Sequence, residues 1–266
     1  TDSGLTITQW QLYSGIFPPL SEIQWNQYFD LYKKIPEYKL QNYSMNLEEF
    51  KVIFWWEFTH RLLGRLIGIL YFVPLLYFTF KLGLKNILGL YLIFILICLQ
   101  GFIGWYMVSS GLVDRVDVSH YRLSLHLVLA FVILSLVFWN YLSLQNIYLS
   151  FKKINKKIPI IFMLIIFLQI CIGAFVSGMD AGKIYNSWPL MGSGFFPDDN
   201  SIQNLFYLSA FNDPSLVQFM HRNLAYLIFL FYIFIFIKVY QNRLSKLFTA
   251  INVAGFLLTL QIILGI

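Results

Sequence analysis

The sequence predicts an all-α, polytopic membrane protein, and three observations predict it. Of 266 residues, 58% are hydrophobic and only 12% charged, about half the charge of a soluble domain, so a water-soluble globule of this size could not cover itself. Six apolar stretches are long enough to cross about 30 Å of hydrocarbon. The short connections between them sort by charge. The same numbers exclude a disordered chain, a coiled coil and a nucleic-acid binder, because the 19 Lys and Arg residues are spread thinly through apolar sequence. The net charge of +6 therefore has a membrane explanation.

The predicted spans are 52–80, 87–109, 119–145, 158–178, 215–237 and 247–266. Pro74 falls inside the first and is expected to kink it. The connections 81–86, 146–157 and 238–246 carry Lys81, Lys85, Lys152, Lys153, Lys156, Lys157, Lys238, Arg243 and Lys246, without an acidic residue. The positive-inside rule puts them in the cytoplasm, or in the matrix of a mitochondrion. On the outer side lie the aromatic-rich segment 1–51 and the loops 110–118 and 179–214, which hold every loop acid. Trp10, Tyr13, Phe17, Trp25, Tyr28, Phe29 and Tyr32 fit either a partly ordered cap or anchors at the headgroups. Cys98 and Cys171 read as small core residues.

Three spans share the phrase Leu-Gln-x-x-x-Gly, at Leu99-Gln100-x-x-x-Gly104, Leu168-Gln169-x-x-x-Gly173 and Leu260-Gln261-x-x-x-Gly265. A tight helix crossing could use the same residues. The first and fifth spans open alike, with Glu57-Phe-Thr-His60-Arg61 and Gln218-Phe-Met-His221-Arg222. The two halves look duplicated, divided here as 1–157 and 158–266. The sequence starts at Thr1 without a Met and stops at Ile266 within an apolar run. It is therefore expected to be the middle six of eight spans, arranged as two four-helix bundles.

The spans that carry histidine run from the outer side inward. His60, His126 and His221 fall about 10–14 Å below the outer surface at 1.5 Å per residue. A lone buried histidine is often a satisfied core residue. Three at one level on alternate helices suit axial ligation of haem iron. His221 shows one ligand of its half, and its partner is expected in the helix missing from this sequence. His120 sits at a helix mouth on another face from His126 and is read as interfacial. Arg61 and Arg222 follow their histidines, Arg65 is one turn beyond Arg61, and Arg122 is one turn above His126. Each guanidinium suits a haem propionate or could snorkel to the headgroups. Glu57 shares the face of His60; it must pair with an arginine or titrate as a proton acceptor. Its counterpart Gln218 cannot titrate, which points to chemistry at one haem site only, unless the change is idle.

These residues resemble the haem A synthase family in its mitochondrial and alphaproteobacterial subtype, over essentially the whole chain. The resemblance runs through Asp2-Ser3-Gly4-Leu5-Thr6, Trp10, Pro18-Pro19, Trp25, Pro36-Glu37-Tyr38-Lys39 and Asn46-Leu47-x-Glu49-Phe50-Lys51. Its most specific part is Glu57-x-x-His60-Arg61-x-x-Gly64-Arg65-x-x-Gly68. Val118-Ser119-x-Tyr121-Arg122-Leu123 with His126, Phe219-x-His221-Arg222 and Gln261-x-x-x-Gly265 complete it.

The resemblance implies an oxidoreductase that converts haem O to haem A by successive hydroxylations of the ring-8 methyl group. It implies eight helices in two pseudo-symmetric halves. His60 and His126 would hold the substrate haem, His221 would bind a haem b cofactor, and Glu57 would take part in catalysis. The paired outer-loop cysteines of another subtype are absent, so no disulfide carries over. Expected partners are haem O, membrane lipid, the upstream haem O synthase (a farnesyltransferase), an electron acceptor and a second copy of the chain. The expected location is a bacterial inner membrane, with the mitochondrial inner membrane as the alternative. The rival reading is a bis-His dihaem cytochrome b that only passes electrons, which would need neither Glu57 nor an aromatic cap.

Overall fold

The structure is a computed structural model and describes residues 17–111, 116–145 and 155–265. Expectations for Asp2 to Trp10 and Tyr13, and for Lys152 and Lys153, lie outside the described residues. Among the described residues eight α-helices follow in order: α1 (Glu22–Tyr32), α2 (Pro36–Leu40), α3 (Leu47–Leu82), α4 (Leu88–Gly111), α5 (His120–Leu144), α6 (Lys157–Gly178), α7 (Pro214–Gln241) and α8 (Phe248–Leu264). No β-strand occurs among the described residues. Six helices, α3 to α8, are long and apolar enough to span a membrane. Their outward faces expose large apolar side chains such as Leu70, Val73, Phe80, Phe138, Leu230 and Phe256, which suits lipid and would be costly in water. The chain is a multi-pass membrane protein. It divides into two compact units, residues 1–141 and 142–266.

In the first unit, local chemistry fixes where helices begin and end. Asn46 caps α3, its Oδ1 accepting from the amides of Glu48 and Glu49 at 2.9 and 3.0 Å, and Glu49 accepts the Asn46 amide in return. This reciprocal box satisfies orphan donors at the helix start. At the other end Gly83 adopts φ +79°, where a side chain would be strained. Between these signals α3 runs unbroken for 36 residues, through Pro74, about 54 Å at 1.5 Å per residue. That exceeds the hydrocarbon thickness, and the surplus belongs to the outer cap.

The cap is a packed aromatic cluster. Phe50, Phe54 and Phe58 recur every four residues on one face of α3 and are buried against Phe29, Tyr32 and Ile35. Trp25 meets Phe54 edge-on at 5.0 Å, and Phe29 and Tyr32 each lie 5.2 Å from Phe50. Such pairs add about 0.5–1.5 kcal/mol each beyond burial. Of the two sequence-based alternatives for Trp25, Tyr28, Phe29 and Tyr32, the structure has the ordered cap. Phe17, by contrast, is exposed.

In the second unit α6 packs on α7 through Ile172, Phe175 and Val217, with Cys171 at the edge of the cluster. Cys98 is exposed on α4, so the core position expected for it is corrected: it lies on the outward face. The N-terminus of α7 is capped by Asp213, which accepts from the Leu216 amide at 3.0 Å, and opens with Pro214. This is the preferred order of residues at a helix start.

The duplication seen in the motifs recurs in the contacts. Tyr71, eleven residues after His60, donates to the carbonyl of Leu90 at 3.0 Å. Tyr232, eleven residues after His221, donates to the carbonyl of Ile251 at 2.9 Å. Both acceptors and both donors stand 161 residues apart. The same interval separates Glu57 from Gln218, His60 from His221 and Gln100 from Gln261.

Candidate functional site

In the first unit the predicted residues come together around α3, α4 and α5. Glu57 is buried and accepts a hydrogen-bonded ion pair from Arg61 at 3.1 Å, one turn along the same helix. The arginine partner expected of a buried carboxylate is therefore present. His60 stands on an exposed face of α3, and His126 is half-buried on α5. Arg122 lies over the Tyr106 ring at 4.8 Å, a cation–π contact. The His120 ring lies beside that of Tyr121, with centroids 4.2 Å apart and the planes tilted by 38°.

His126 has a seat on α4. Gln100 Nε2 donates to the main-chain carbonyl of His126 at 3.0 Å. A Cβ added to Gly104 would fall 2.9 Å from the His126 Cε1, so only glycine gives the ring its place. Among the described residues, His126 Nδ1 and Gln100 Oε1 are buried without a hydrogen-bond partner.

The second unit repeats the seat. Gln169 Nε2 on α6 lies 3.2 Å from the His221 carbonyl and 3.1 Å from its Nδ1, and a Cβ at Gly173 would fall 3.1 Å from its Cε1. Gln169 Oε1 is again buried without a partner among the described residues. The shared phrase in the sequence was the visible signal of these seats. Its purpose was hidden, because each contact reaches the main chain of a histidine on the following helix.

The surroundings of His221 differ from those of His60. Gln218 donates to the Tyr185 carbonyl at 2.9 Å and accepts its amide at 3.3 Å. Arg222 donates to the carbonyls of Tyr185 at 2.7 Å, Ser187 at 2.9 Å and Leu190 at 3.4 Å. Trp188 Nε1 donates to the Tyr226 hydroxyl at 2.9 Å. The outer loop is therefore tied down on α7. Farther along it, Asp199 accepts from Ser215 Oγ at 2.6 Å and from the Tyr185 hydroxyl at 2.9 Å. The Ser215 hydroxyl holds the Asp199 carboxyl below the usual range. The Ser193 amide and hydroxyl do the same for Asp198. Neither Gln218 nor Arg222 was legible as a loop anchor, since their partners are carbonyls.

The donor set fits haem. Among the described residues, no three His, Cys, Asp or Glu side chains cluster as a metal cage, whereas haem iron needs only axial imidazoles from the protein. Gly64 and Gly68, one and two turns beyond His60, leave open space where a Cβ would meet nothing within 4 Å. A flat macrocycle can approach such a face.

Comparisons with known proteins give the family of the chain. A family model described as Cytochrome oxidase assembly protein matches residues 1–266. The chain is 55% identical over 249 residues to the Heme A synthase of Pelagibacter ubique (strain HTCC1062), covering 91% of this chain and 73% of that protein. It is 45% identical over 264 residues to the Heme A synthase of Rickettsia bellii (strain OSU 85-389), covering 96% and 78%. To that of Parvibaculum lavamentivorans it is 44% identical over 234 residues, covering 86% and 68%. No solved structure matches the chain. With the histidine-bearing helices and their paired seats already in place, the family match over the full sequence and these identities establish that the chain belongs to the haem A synthase family of cytochrome oxidase assembly proteins.

Proposed function

We propose that this protein is an oxidoreductase that takes haem O and oxidises its ring-8 methyl group to a formyl group, yielding haem A for cytochrome c oxidase. The observation that carries the reading is the company of Glu57: a buried carboxylate paired to Arg61, one turn from His60 on the same helix.

His60 and His126 are the residues to hold the substrate haem, and His221 is a ligand of haem b. Bound haem b supplies one-electron transfer at the second site. Turning a methyl into a formyl group withdraws electrons and protons from carbon, so a base must stand beside the substrate. The Glu57 carboxylate fills that role, with Arg61 compensating its buried charge. Arg65 and Arg122, with Arg61, are positioned to meet propionates. Arg222 acts through the loop whose carbonyls it binds. Gln218 supplies no base, which assigns the methyl oxidation to the first site. The aromatic cap over the start of α3 limits water.

In this reading residues 1–157 form the substrate half and 158–266 the haem b half. The protein sits in a bacterial inner membrane with its basic loops in the cytoplasm. It receives haem O from the farnesyltransferase, passes electrons to an acceptor and associates with a second copy.

The test is expression of the full-length protein in bacteria that make haem O, with and without Glu57→Ala, followed by chromatography of extracted haems. Haem A or its hydroxylated precursor is expected with Glu57 intact and not with Ala. Haem A from both would remove Glu57 from the chemistry. A folded, haem-loaded protein that leaves haem O unchanged would favour the electron-transfer cytochrome.

A further inference from the structure

The two glutamine seats share a feature that packing alone does not require. Each amide binds the main chain of its histidine, and each leaves its carbonyl oxygen buried and unpartnered among the described residues. A buried acceptor without a donor is costly. It is rare enough that each case asks for a reason, and here it occurs twice at the same place in a repeated motif. In the first unit the imbalance is two-sided, because His126 Nδ1 is buried without a partner as well.

An imidazole that gives Nε2 to iron carries its proton on Nδ1, and that proton needs an acceptor, which also fixes ring orientation and raises ligand basicity. The terminal torsion of a glutamine is soft, so the amide can turn its oxygen toward the ring. We propose that Gln100 and Gln169 are positioning residues for the haem-ligating histidines: the oxygen of each accepts Nδ1–H of His126 and His221, directing Nε2 to iron. Gly104 and Gly173 complete the device by letting the ring edge lie against the helix. The proposal rests on the reading of His126 and His221 as haem ligands. It adds a role for the Gln-x-x-x-Gly phrase that ligation by itself does not assign.

The experiment uses the full-length, haem-loaded protein purified in detergent, with Gln169→Leu, Gln169→Glu and His221→Ala. Readouts are haem b content, the low-spin electron paramagnetic resonance signal and the midpoint potential of haem b. Gln169→Glu, nearly the same shape with a stronger acceptor, is expected to keep haem b and lower its potential. Gln169→Leu, which lacks an acceptor, is expected to shift the potential the other way and to weaken haem retention about tenfold.

Shifts of opposite sign distinguish a hydrogen bond to the ligand from simple packing, which has no reason to follow acceptor strength. If His221→Ala loses haem b while the potential in Gln169→Glu stays at the wild-type value, the proposal is overturned and ligation stands. If His221→Ala retains haem b with an unchanged signal, the ligand reading fails and takes the proposal with it. Should the Leu variant fail to accumulate, the sign of the Glu shift decides.

Discussion

Gln218 and Arg222, one turn apart on α7, donate to the same oxygen, the carbonyl of Tyr185, at 2.9 and 2.7 Å. Their counterparts Glu57 and Arg61 bind each other instead. One exchange of amide for carboxylate thus separates an anchored loop from a buried ion pair. An amide can donate to a carbonyl and accept from an amide at once, whereas a carboxylate can only accept.

Gln218→Glu is therefore expected to free the loop. The new carboxylate would face the Tyr185 carbonyl without a proton to offer and would draw Arg222 away into an ion pair like that of Glu57. Losing the donor at a buried position (Gln218 is 5% exposed) costs about 1–3 kcal/mol. The change should appear as faster hydrogen exchange over residues 182–190, with α6 unaffected. Equal exchange in both proteins would show that the Gln218 contacts do not hold the loop.

The Glu57–Arg61 pair gives a different signature. The Arg61 side chain is 21% exposed and that of Glu57 8%, so Arg61→Ala takes the ion-pair partner from a carboxylate with little water around it. A cost of about 2–3 kcal/mol is expected, below the range for fully enclosed pairs. Adding Glu57→Gln removes the buried charge as well and should recover most of that loss. Thermal unfolding of the two variants in detergent checks it. A double variant no more stable than Arg61→Ala would mean that the arginine acts through packing rather than charge.

The cap carries a titration of its own. Burial pushes the Glu37 carboxyl up to about 7, with the charges of Glu57 and Asp117 adding and the hydrogen bond from Tyr32 opposing. Tyr32, itself pushed up to about 12 by burial, and Asn42 are its hydrogen-bonding neighbours. A carboxyl whose value is higher folded than unfolded contributes stability that is fully present below its ordinary value of 4.5. That contribution is lost as pH rises through about 7, roughly 3 kcal/mol in all. Hydrogen-exchange protection of α1 and α2, corrected for intrinsic rates, should fall between about pH 4.5 and 7, level off above that, and be flat in Glu37→Gln. The same slope in both would assign the titration to another group.

Much of this was legible in the sequence because lipid imposes simple rules. Spans, histidines and basic loops follow from length and charge, and α3 to α8 lie where the apolar runs placed them. The pairing of Glu57 was legible only as one of two alternatives, since choosing needs the geometry of the Arg61 side chain. The cap was half-legible: aromatic content marks an interface, but the every-fourth-residue ladder of Phe50, Phe54 and Phe58 gains meaning only with α1 against it. Cys98 went astray because an apolar run does not tell which face of a span meets lipid. Loop anchoring by Gln218 and Arg222 was invisible, because main-chain carbonyls leave no mark on residue identity.

The glycine seats yield a prediction that separates the two haem sites. A Cβ at Gly104 would stand 2.9 Å from the His126 ring, and one at Gly173 3.1 Å from that of His221. The first distance is too short for carbon–carbon contact and the second is tight, so each ring would have to give way. Gly173→Ala is expected to displace His221 and deplete haem b. Gly104→Ala should leave haem b content unchanged while haem O conversion falls at least about tenfold, since ligand supports commonly matter by that factor. Haem content of purified full-length protein and haem A yield in cells measure the two effects separately. Loss of haem b in Gly104→Ala would contradict the assignment of His126 to the substrate site.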